Sequence, residues 1–250
     1  MKVFSVIGIS QSGKTTTIEN IIRELRRRGY SVGSVKDIHF EKFAMDTEGT
    51  NTYRHRQAGS QLVTAWGKYE TDILFQERLS LDEILDFYNH DFVVIEGFRG
   101  SNIPKIITAH SKEEIVEMMD DLVFAISGRI SNELREFEGL PVINTMDSVE
   151  KLVDLIEEKV YDRLPDFPVE CCGKCGYGCK QLGALIIKGK AKREDCVLIN
   201  SKVKIQIGGK DILMVPFVQN ILSNVILGVV KELKGYEEGK EISVRILPKE

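Results

Sequence analysis

The chain has 250 residues, of which 42% are hydrophobic and 29% charged, and this globular balance excludes intrinsic disorder and fibrous repeats. The 34 lysines and arginines against 38 aspartates and glutamates give a formal net charge of −4, which argues against a general nucleic-acid partner. No apolar run reaches the roughly 18 residues of a membrane span, and the apolar start is too short for a secretory signal, so we expect a cytoplasmic protein without a membrane partner.

Strand-like and helical patterns alternate along the first 165 residues. The strand-like runs lie at residues 2–7, 31–35, 61–65, 92–95, 106–108, 121–126 and 141–143, and helical spacing covers 16–28, 81–88 and 147–161. Strands that alternate with helices pair in parallel through crossover connections. The sequence therefore predicts an α/β fold of the P-loop NTPase type, with a mostly parallel sheet and helices on both faces.

A phosphate-binding motif, which we call the phosphate loop, lies between the first predicted strand and the first predicted helix. Gly8-Ile9-Ser10-Gln11-Ser12-Gly13-Lys14-Thr15 fits the pattern G-x-x-x-x-G-K-S/T without a mismatch. Its glycines allow successive backbone N–H groups to turn toward one anion, Lys14 would reach the β- and γ-phosphates, and the Thr15 hydroxyl would bind Mg²⁺. We therefore expect a nucleoside triphosphate site. Its expected nucleotide contacts are Gly8, Gln11, Ser12, Gly13, Lys14, Thr15 and Thr16.

Acidic and basic residues follow two other predicted strands. Glu96 comes directly after the apolar run at 92–95, and the carboxyl end of a parallel strand is where such sheets bind ligands. Glu96 is the leading candidate to hold Mg²⁺ through water and, together with Lys14, to act in any catalysis. Asp37, just beyond the second strand, competes as the metal ligand, and Lys36 beside it would contact phosphate or a second substrate.

The choice of nucleotide base is weakly encoded. No complete N-K-x-D motif of the guanine-specific GTPases is present, although Asn144 and Asp147 keep two of its four positions, with Thr145 in place of lysine. We expect Asn144 and Asp147 beside the base, while Asp147 fits equally well as the N-cap of the following helix. The spacing alone does not separate GTP from ATP.

Residues 6–16 resemble the start of the molybdopterin-guanine dinucleotide biosynthesis protein B (MobB) family, and three further segments strengthen the resemblance. These segments are the second strand ending at Lys36 with His39 nearby, the stretch from Asp46 through Gly49 to Arg54, and Glu96-Gly97-Phe98-Arg99. The similarity covers about residues 1–160 in the expected order. The chain departs from the family pattern at Asp37, where family members often carry histidine.

The resemblance implies a GTP-binding adapter with Mg²⁺ at the phosphates. Such an adapter assists the molybdopterin guanylyltransferase that attaches GMP to molybdopterin. The family also implies weak GTP hydrolysis and a homodimer.

All five cysteines lie within residues 171–196, directly after the proline-bearing segment 164–168. That segment marks the boundary we predict between a P-loop domain at 1–165 and a smaller, cysteine-rich α+β domain at 166–250. In the second domain, residues 180–188 and 217–233 have helical patterns, and residues 202–207 and 242–247 have strand-like patterns. An odd, clustered set of cysteines without an export signal predicts metal ligands rather than disulfides.

Four of these cysteines, Cys172, Cys175, Cys179 and Cys196, follow a three-plus-one spacing. Structural zinc sites usually pair two short cysteine knuckles, so this spacing favours a 4Fe–4S cluster over Zn²⁺. It resembles the small four-cysteine 4Fe–4S domain, whose second spacing is one residue longer, and Cys171 is therefore a spare candidate ligand. Zinc and a metal-free segment stay open as alternatives.

Two other functions fit the same motifs. The first is a nucleotide-gated iron–sulfur electron-transfer protein, in which triphosphate binding alters the exposure or potential of the cluster. The second is a P-loop kinase of a small metabolite with a zinc-stapled appendage. The adapter is the primary prediction because it accounts for the whole N-terminal pattern.

Overall fold

The structure is a computed structural model that describes residues 1–40, 43–100, 102–167, 172, 175–196, 198, 203, 205–208, 210–212, 214–240, 242–244 and 246. The chain forms two compact units, Met1–Leu164 with Lys180–Arg193, and Pro165–Cys179 with Glu194–Glu250. The segment Lys180–Arg193 thus groups with the first unit, although it follows the first cysteines in sequence. The boundary at residue 165 between a P-loop domain and a cysteine-rich domain stays a prediction.

The helices and strands of the described residues are as follows. The helices are α1 (Lys14–Arg27), α2 (Asn51–Gln57), α3 (Leu81–Leu85), α4 (Lys112–Met118), α5 (Thr145–Lys159), α6 (Cys179–Ile187) and α7 (Pro216–Val230). The strands are β1 (Lys2–Gly8), β2 (Val32–Lys36), β3 (Leu62–Trp66), β4 (Thr71–Phe75), β5 (Phe92–Glu96), β6 (Lys105–Thr108), β7 (Val123–Ser127), β8 (Glu136–Phe137), β9 (Leu140–Pro141), β10 (Ile205–Ile207) and β11 (Lys210–Ile212).

A five-stranded parallel sheet forms the centre of the first unit, in the order β2-β5-β1-β6-β7. β1 lies between β5 and β6, with Gly8 paired to Thr108. Lys36 of β2 pairs with Glu96 of β5, so these carboxyl-end residues lie along one edge of the sheet. The sheet confirms the predicted mostly parallel α/β fold.

Helices cover both faces of this sheet. Val3 and Ile7 of β1 point to one face, where they pack in apolar clusters with α3 and α4 respectively. Phe4 and Val6 alternate with them and point to the other face, which α1 and α5 cover. All four side chains are at most 2% exposed, so apolar burial holds β1 at the centre of the fold.

The amphipathic pattern of the sequence determines α1. Ile18, Ile21 and Leu25 recur at helical spacing, and all three are buried. The helix ends just before Gly29, whose φ of 93° belongs to the left-handed region that favours glycine. α1 begins at Lys14, earlier than the predicted start at residue 16, because the phosphate loop runs directly into its first turn.

Several elements of the first unit differ from the sequence prediction. The run at 61–65 does form a strand, β3, but β3 pairs antiparallel with β4 instead of joining the parallel sheet. Only residues 67–70 separate these two strands, which is too few for a crossover connection. The sequence patterns also miss α2 and α4. The strand predicted at 141–143 is reduced to β9 and a parallel bridge between Val142 and Ile126.

The second unit contains a short hairpin and a helix among its described residues. β10 pairs antiparallel with β11, and α7 covers most of the helix predicted at 217–233. Residues 242–244 and 246 fell within a predicted strand but lie in no strand, whereas Arg245 and Leu247 are outside the described residues. Lys202 and Lys204 of the strand predicted at 202–207 are also outside them.

None of the described helices is both long and apolar enough to cross a lipid bilayer.

Candidate functional site

The phosphate loop joins β1 to α1. β1 ends at Gly8, and α1 begins at Lys14 with Gly13 as its N-cap at a φ of 101°. No described side chain caps this helix start, so the first N–H groups of α1 are available to an anion. The helix dipole adds positive potential at the same point. The loop therefore has the backbone geometry of an anion-binding site.

The phosphate loop packs against the carboxyl ends of β6 and β7. Ser12 Oγ lies 2.7 Å from Thr108 Oγ1, and Thr108 Oγ1 lies 3.1 Å from the Ile7 carbonyl oxygen. A Cβ at Gly8 would overlap the Thr108 carbonyl oxygen, and a Cβ at Gly128 would overlap the Ser12 carbonyl oxygen. The loop backbone thus packs directly on the neighbouring strand ends. Sequence reasoning missed Thr108 and Gly128, although a predicted strand ends at Thr108.

Lys14 reaches back over the loop from the first turn of α1. Its Nζ donates to the Gly8 carbonyl oxygen at 3.0 Å and also to the Ile9 carbonyl oxygen. The ammonium therefore lies on the loop's own backbone, within reach of any anion that the loop binds.

The charges around Lys14 are mixed. Burial is the main effect and lowers the pKa of Lys14, and the neighbouring cations Lys36 and Arg99 lower it as well. The Glu96 carboxylate acts in the opposite direction and raises this pKa. Three cations gathered around one carboxylate favour a ligand that carries several negative charges.

Thr15 and Glu96 form the candidate metal position. Thr15 Oγ1 donates to Glu96 Oε1 at 3.2 Å, and Lys36 Nζ lies 3.2 Å from the same oxygen. A hydroxyl and a carboxylate are the oxygen ligands that Mg²⁺ prefers. The residues present therefore fit the metal that the sequence predicts.

Asp37 lies next to this position but is engaged elsewhere. Its backbone N–H donates to the Glu96 carbonyl oxygen at 2.9 Å. Its carboxylate oxygens lie 3.1 Å from Arg78 Nη2 and 3.5 Å from His39 Nε2. The Glu96 carboxylate accepts from Thr15 Oγ1, whereas no described contact joins Asp37 to Thr15, so Glu96 is the better placed of the two acids to bind a metal ion.

The remaining predicted loop contacts take different positions. Ser12 is buried, whereas Gln11 and Thr16 are exposed. Gln11 has a φ of 62°, and its carbonyl oxygen lies 3.1 Å from His110 Nε2. Sequence reasoning missed His110, because no motif links it to a loop some hundred residues earlier in the chain.

Asn144 and Asp147 lie at the start of α5. Asn144 is the N-cap, since its Oδ1 accepts from the Met146 backbone N–H at 2.9 Å, and its Nδ2 donates to Asn132 Oδ1 at 2.9 Å. Both polar ends of this amide are therefore engaged within the protein. Asp147 is exposed in the first turn, so the alternative prediction that it caps the helix is wrong. No described hydrogen bond joins either residue to the phosphate loop.

The four cysteines of the predicted cluster are free thiols in the second unit. Cys172 and Cys196 are buried, and Cys175 and Cys179 are half-buried. Burial raises the pKa of the Cys179 thiol, and Cys196 and Cys172 raise it further. Among the described residues, however, no three His, Cys, Asp or Glu side chains form a group that would hold a metal ion. Cys171 lies outside the described residues.

Comparisons with known proteins agree on one family. A family profile described as Molybdopterin guanine dinucleotide synthesis protein B, or MobB, matches residues 3–128. A protein of Methanocaldococcus jannaschii named "Putative molybdopterin-guanine dinucleotide biosynthesis adapter protein" is 32% identical over 98% of this chain and 97% of its own length. A Bacillus subtilis protein named "Probable molybdopterin-guanine dinucleotide biosynthesis adapter protein" is 28% identical over 59% of this chain and 87% of its own length.

A solved structure has the same fold. The crystal structure of Bacillus subtilis MobB matches with a TM-score of 0.55 and 26% sequence identity, over 65% of this chain and 100% of that chain. The family match at residues 3–128 includes both the phosphate loop and Glu96. The match to the Methanocaldococcus jannaschii protein also extends over the cysteine-rich segment.

Proposed function

Because this chain belongs to the molybdopterin guanine dinucleotide synthesis protein B family, we propose that it is a GTP-binding adapter in the biosynthesis of the molybdenum cofactor. In this role it assists a molybdopterin guanylyltransferase in attaching GMP to molybdopterin. The observation that carries the proposal is the open phosphate loop, whose Thr15 is hydrogen-bonded to Glu96. Relatives named as adapters favour this function over the electron-transfer protein and the metabolite kinase.

The nucleotide phosphates bind at the loop and at the uncapped start of α1. Lys14 exchanges the carbonyl oxygens of Gly8 and Ile9 for the β- and γ-phosphates, because an ammonium binds a charged oxygen more strongly than a neutral one. Thr15 and Glu96 hold the Mg²⁺ ion, which neutralises charge on the phosphate oxygens when it is bound.

Hydrolysis of the nucleotide is slow in this proposal. Glu96 Oε1 is shared between the Thr15 hydroxyl and the Lys36 ammonium. A carboxylate held by these two groups, and facing a metal ion, is a weak general base for an attacking water. In this proposal, GTP bound to the adapter mainly supports its interaction with the guanylyltransferase. The transfer of GMP is carried out by that partner.

The exposed side chains of the β3–β4 hairpin support the proposed homodimer. Trp66 and Tyr69 are each 90% exposed, and Ile73 is 51% exposed. Large apolar and aromatic side chains that are exposed together mark protein–protein contacts. We assign this hairpin to the homodimer interface, and we propose that the dimer binds the guanylyltransferase and molybdopterin.

For the cysteine-rich segment we propose a 4Fe–4S cluster, with Zn²⁺ as the alternative. The spacing of Cys172, Cys175, Cys179 and Cys196 and their free thiol state support it. Their described side chains do not converge as a ligand group, so no step of the adapter's function is routed through the cluster. Iron and zinc analysis of protein purified without oxygen tests the proposal. About four iron atoms per chain are expected, and protein free of iron would exclude the cluster.

Titration of the purified protein with GTP and ATP in the presence of Mg²⁺ tests the nucleotide proposal. GTP is expected to bind more tightly than ATP, and Lys14→Ala is expected to weaken the binding of both nucleotides. Lys151→Ala, which removes an exposed lysine from α5, is the matched control and should change neither affinity. Asp147→Ala should reduce the difference in affinity between GTP and ATP, because Asp147 is a proposed contact of the nucleotide base. Equal affinity of the unmodified protein for both nucleotides, or none for either, contradicts the proposal.

A further inference from the structure

His110 lies beside the phosphate loop, just beyond the end of β6. Its Nε2 is 3.1 Å from the Gln11 carbonyl oxygen. A carbonyl oxygen only accepts hydrogen bonds, so the imidazole is the donor in this contact. The backbone next to His110 is itself fixed, since the Ala109 carbonyl oxygen accepts from the Ile130 N–H at 2.9 Å. His110 therefore attaches a well-anchored strand end to the loop.

Glu114 of α4 holds the other side of His110. Its Oε2 accepts from the His110 backbone N–H at 2.8 Å and lies 3.3 Å from His110 Nδ1. The Glu114 backbone N–H donates to the Ser111 side chain at 3.5 Å, which ties this part of α4 to its own N-cap. This carboxylate oxygen thus fixes the backbone of His110 and lies beside Nδ1, so that the opposite ring nitrogen, Nε2, faces Gln11.

Gln11 is the strained position of the phosphate loop. Its φ of 62° lies in the left-handed region, which residues other than glycine rarely adopt. The Gln11 carbonyl and the Ser12 N–H belong to one peptide unit, and in a trans peptide these two groups point in opposite directions. The hydrogen bond from His110 draws the carbonyl away from the loop. The Ser12 N–H points the other way and donates to the Ile9 carbonyl oxygen at 3.5 Å, a long hydrogen bond that a charged phosphate oxygen would replace.

We propose that His110 is a positioning residue for nucleotide binding, which orients the Ser12 N–H toward the phosphates by holding the Gln11 carbonyl outward. This inference rests on the proposed binding of GTP at the loop. The turned peptide is one member of the group of N–H donors that bind a phosphate, and such groups depend on the direction of each peptide. The role of His110 is separate from that of Lys14 and Thr15, because His110 contacts the loop backbone, whereas Lys14 and Thr15 are the proposed contacts to the nucleotide and its metal ion.

Two substitutions at His110 separate this role from a general structural one. The amide nitrogen of glutamine reaches the position of His Nε2, whereas that of asparagine reaches only the position of Nδ1. His110→Gln therefore keeps the contact with Gln11, and His110→Asn keeps only the contact with Glu114. We expect GTP affinity within about twofold of the unmodified protein for His110→Gln, and about fivefold weaker for His110→Asn, the effect of one hydrogen bond.

The amide resonance of Ser12, measured by NMR without nucleotide, gives a second readout. It is expected to shift in His110→Asn and to stay in place in His110→Gln. Equal affinities for the two variants, or a Ser12 resonance that does not respond to His110→Asn, would overturn the positioning role. If the unmodified protein binds no GTP, the proposed function fails, while the Ser12 resonance still decides whether His110 sets the peptide direction.

Discussion

Lys36 and Glu96 occupy paired positions on neighbouring parallel strands, and Lys36 Nζ lies 3.2 Å from Glu96 Oε1. The same carboxylate oxygen accepts from Thr15 Oγ1 at 3.2 Å. The register of the sheet thus brings one acid into contact with both the edge strand β2 and the first turn of α1. A candidate metal position built from three distant segments depends on the pairing of β2 with β5 and of β5 with β1.

Replacing Glu96 by glutamine removes the negative charge of this side chain but keeps its shape. We expect the affinity for GTP in Mg²⁺ to fall about 10- to 100-fold, because an interaction with a charged group contributes about 1.5–3 kcal/mol. Calorimetric titrations in Mg²⁺ and in EDTA measure the effect, and in EDTA the two proteins should differ little. Asp37→Asn is the matched control, since the Asp37 carboxylate is held by Arg78 and has no described contact with Thr15. A larger loss for Asp37→Asn than for Glu96→Gln would assign the metal to Asp37 instead.

Gly8→Ala tests how closely the phosphate loop packs on β6. The new Cβ would overlap the Thr108 carbonyl oxygen and crowd Ser12 Oγ at 2.6 Å. We expect a loss of about 1–3 kcal/mol in the free energy of unfolding, measured in urea, together with the loss of GTP binding. Gly228→Ala in α7 is the control, because a Cβ there meets no described atom within 4 Å. Alanine should stabilise that helix by about 0.5–1 kcal/mol. Equal stability of the two variants would contradict the close packing.

The sequence predicts the phosphate loop and Glu96 because their chemistry is local. The loop is a run of consecutive residues with fixed roles, and Glu96 follows an apolar strand that the fold class makes parallel. Thr108, Gly128 and His110 support the same loop, but they join it only through the strand order β5-β1-β6-β7. Hydrophobic periodicity does not predict the order of the strands, so these contacts could not be predicted from the sequence.

Two of the missed elements, α2 and β4, lack an apolar pattern of their own. α2 has no buried residue, and the Thr50 side chain that accepts from the Tyr53 N–H sets its start. Residues of β4 are exposed or half-buried on both sides, so neither alternation nor a continuous apolar run marks it as a strand. The N-cap determines where α2 begins, and pairing with β3 forms β4. Neither interaction produces a periodic pattern in the sequence.

Glu24 makes the stability of the first unit sensitive to acid. Its side chain is 4% exposed, and hydrogen bonds from Arg27 and Arg28 lower its pKa from 4.5 to about 2. A carboxyl whose pKa is lowered by folding stabilises the protein above its unfolded pKa and loses that contribution as the pH falls toward the folded value. Between about pH 5 and pH 3 we expect the free energy of unfolding to fall by about 1–2 kcal/mol. This figure allows for the weaker interaction with Arg27, which is exposed to solvent.

Urea unfolding at both pH values, with Glu24→Gln alongside, measures this contribution. The variant should be less stable near pH 5 and should lose less on acidification. Glu19→Gln is the control, because the Glu19–Arg23 pair is exposed and should contribute little. An equal loss on acidification for Glu24→Gln and the unmodified protein would show that other carboxylates dominate the acid response.

Gly183 of α6 packs against Tyr161, whose hydroxyl donates to the Asn102 carbonyl oxygen at 2.8 Å. A Cβ at Gly183 would overlap that hydroxyl oxygen, so we expect Gly183→Ala to cost about 2 kcal/mol by overpacking. Tyr161→Phe should cost about 1 kcal/mol through the lost hydrogen bond. In the double variant the alanine methyl occupies the space of the missing oxygen. The losses in urea unfolding should therefore fall short of their sum by about 1 kcal/mol. Strictly additive losses would mean that α6 does not pack on Tyr161 in solution, and that Lys180–Arg193 does not belong to the first unit.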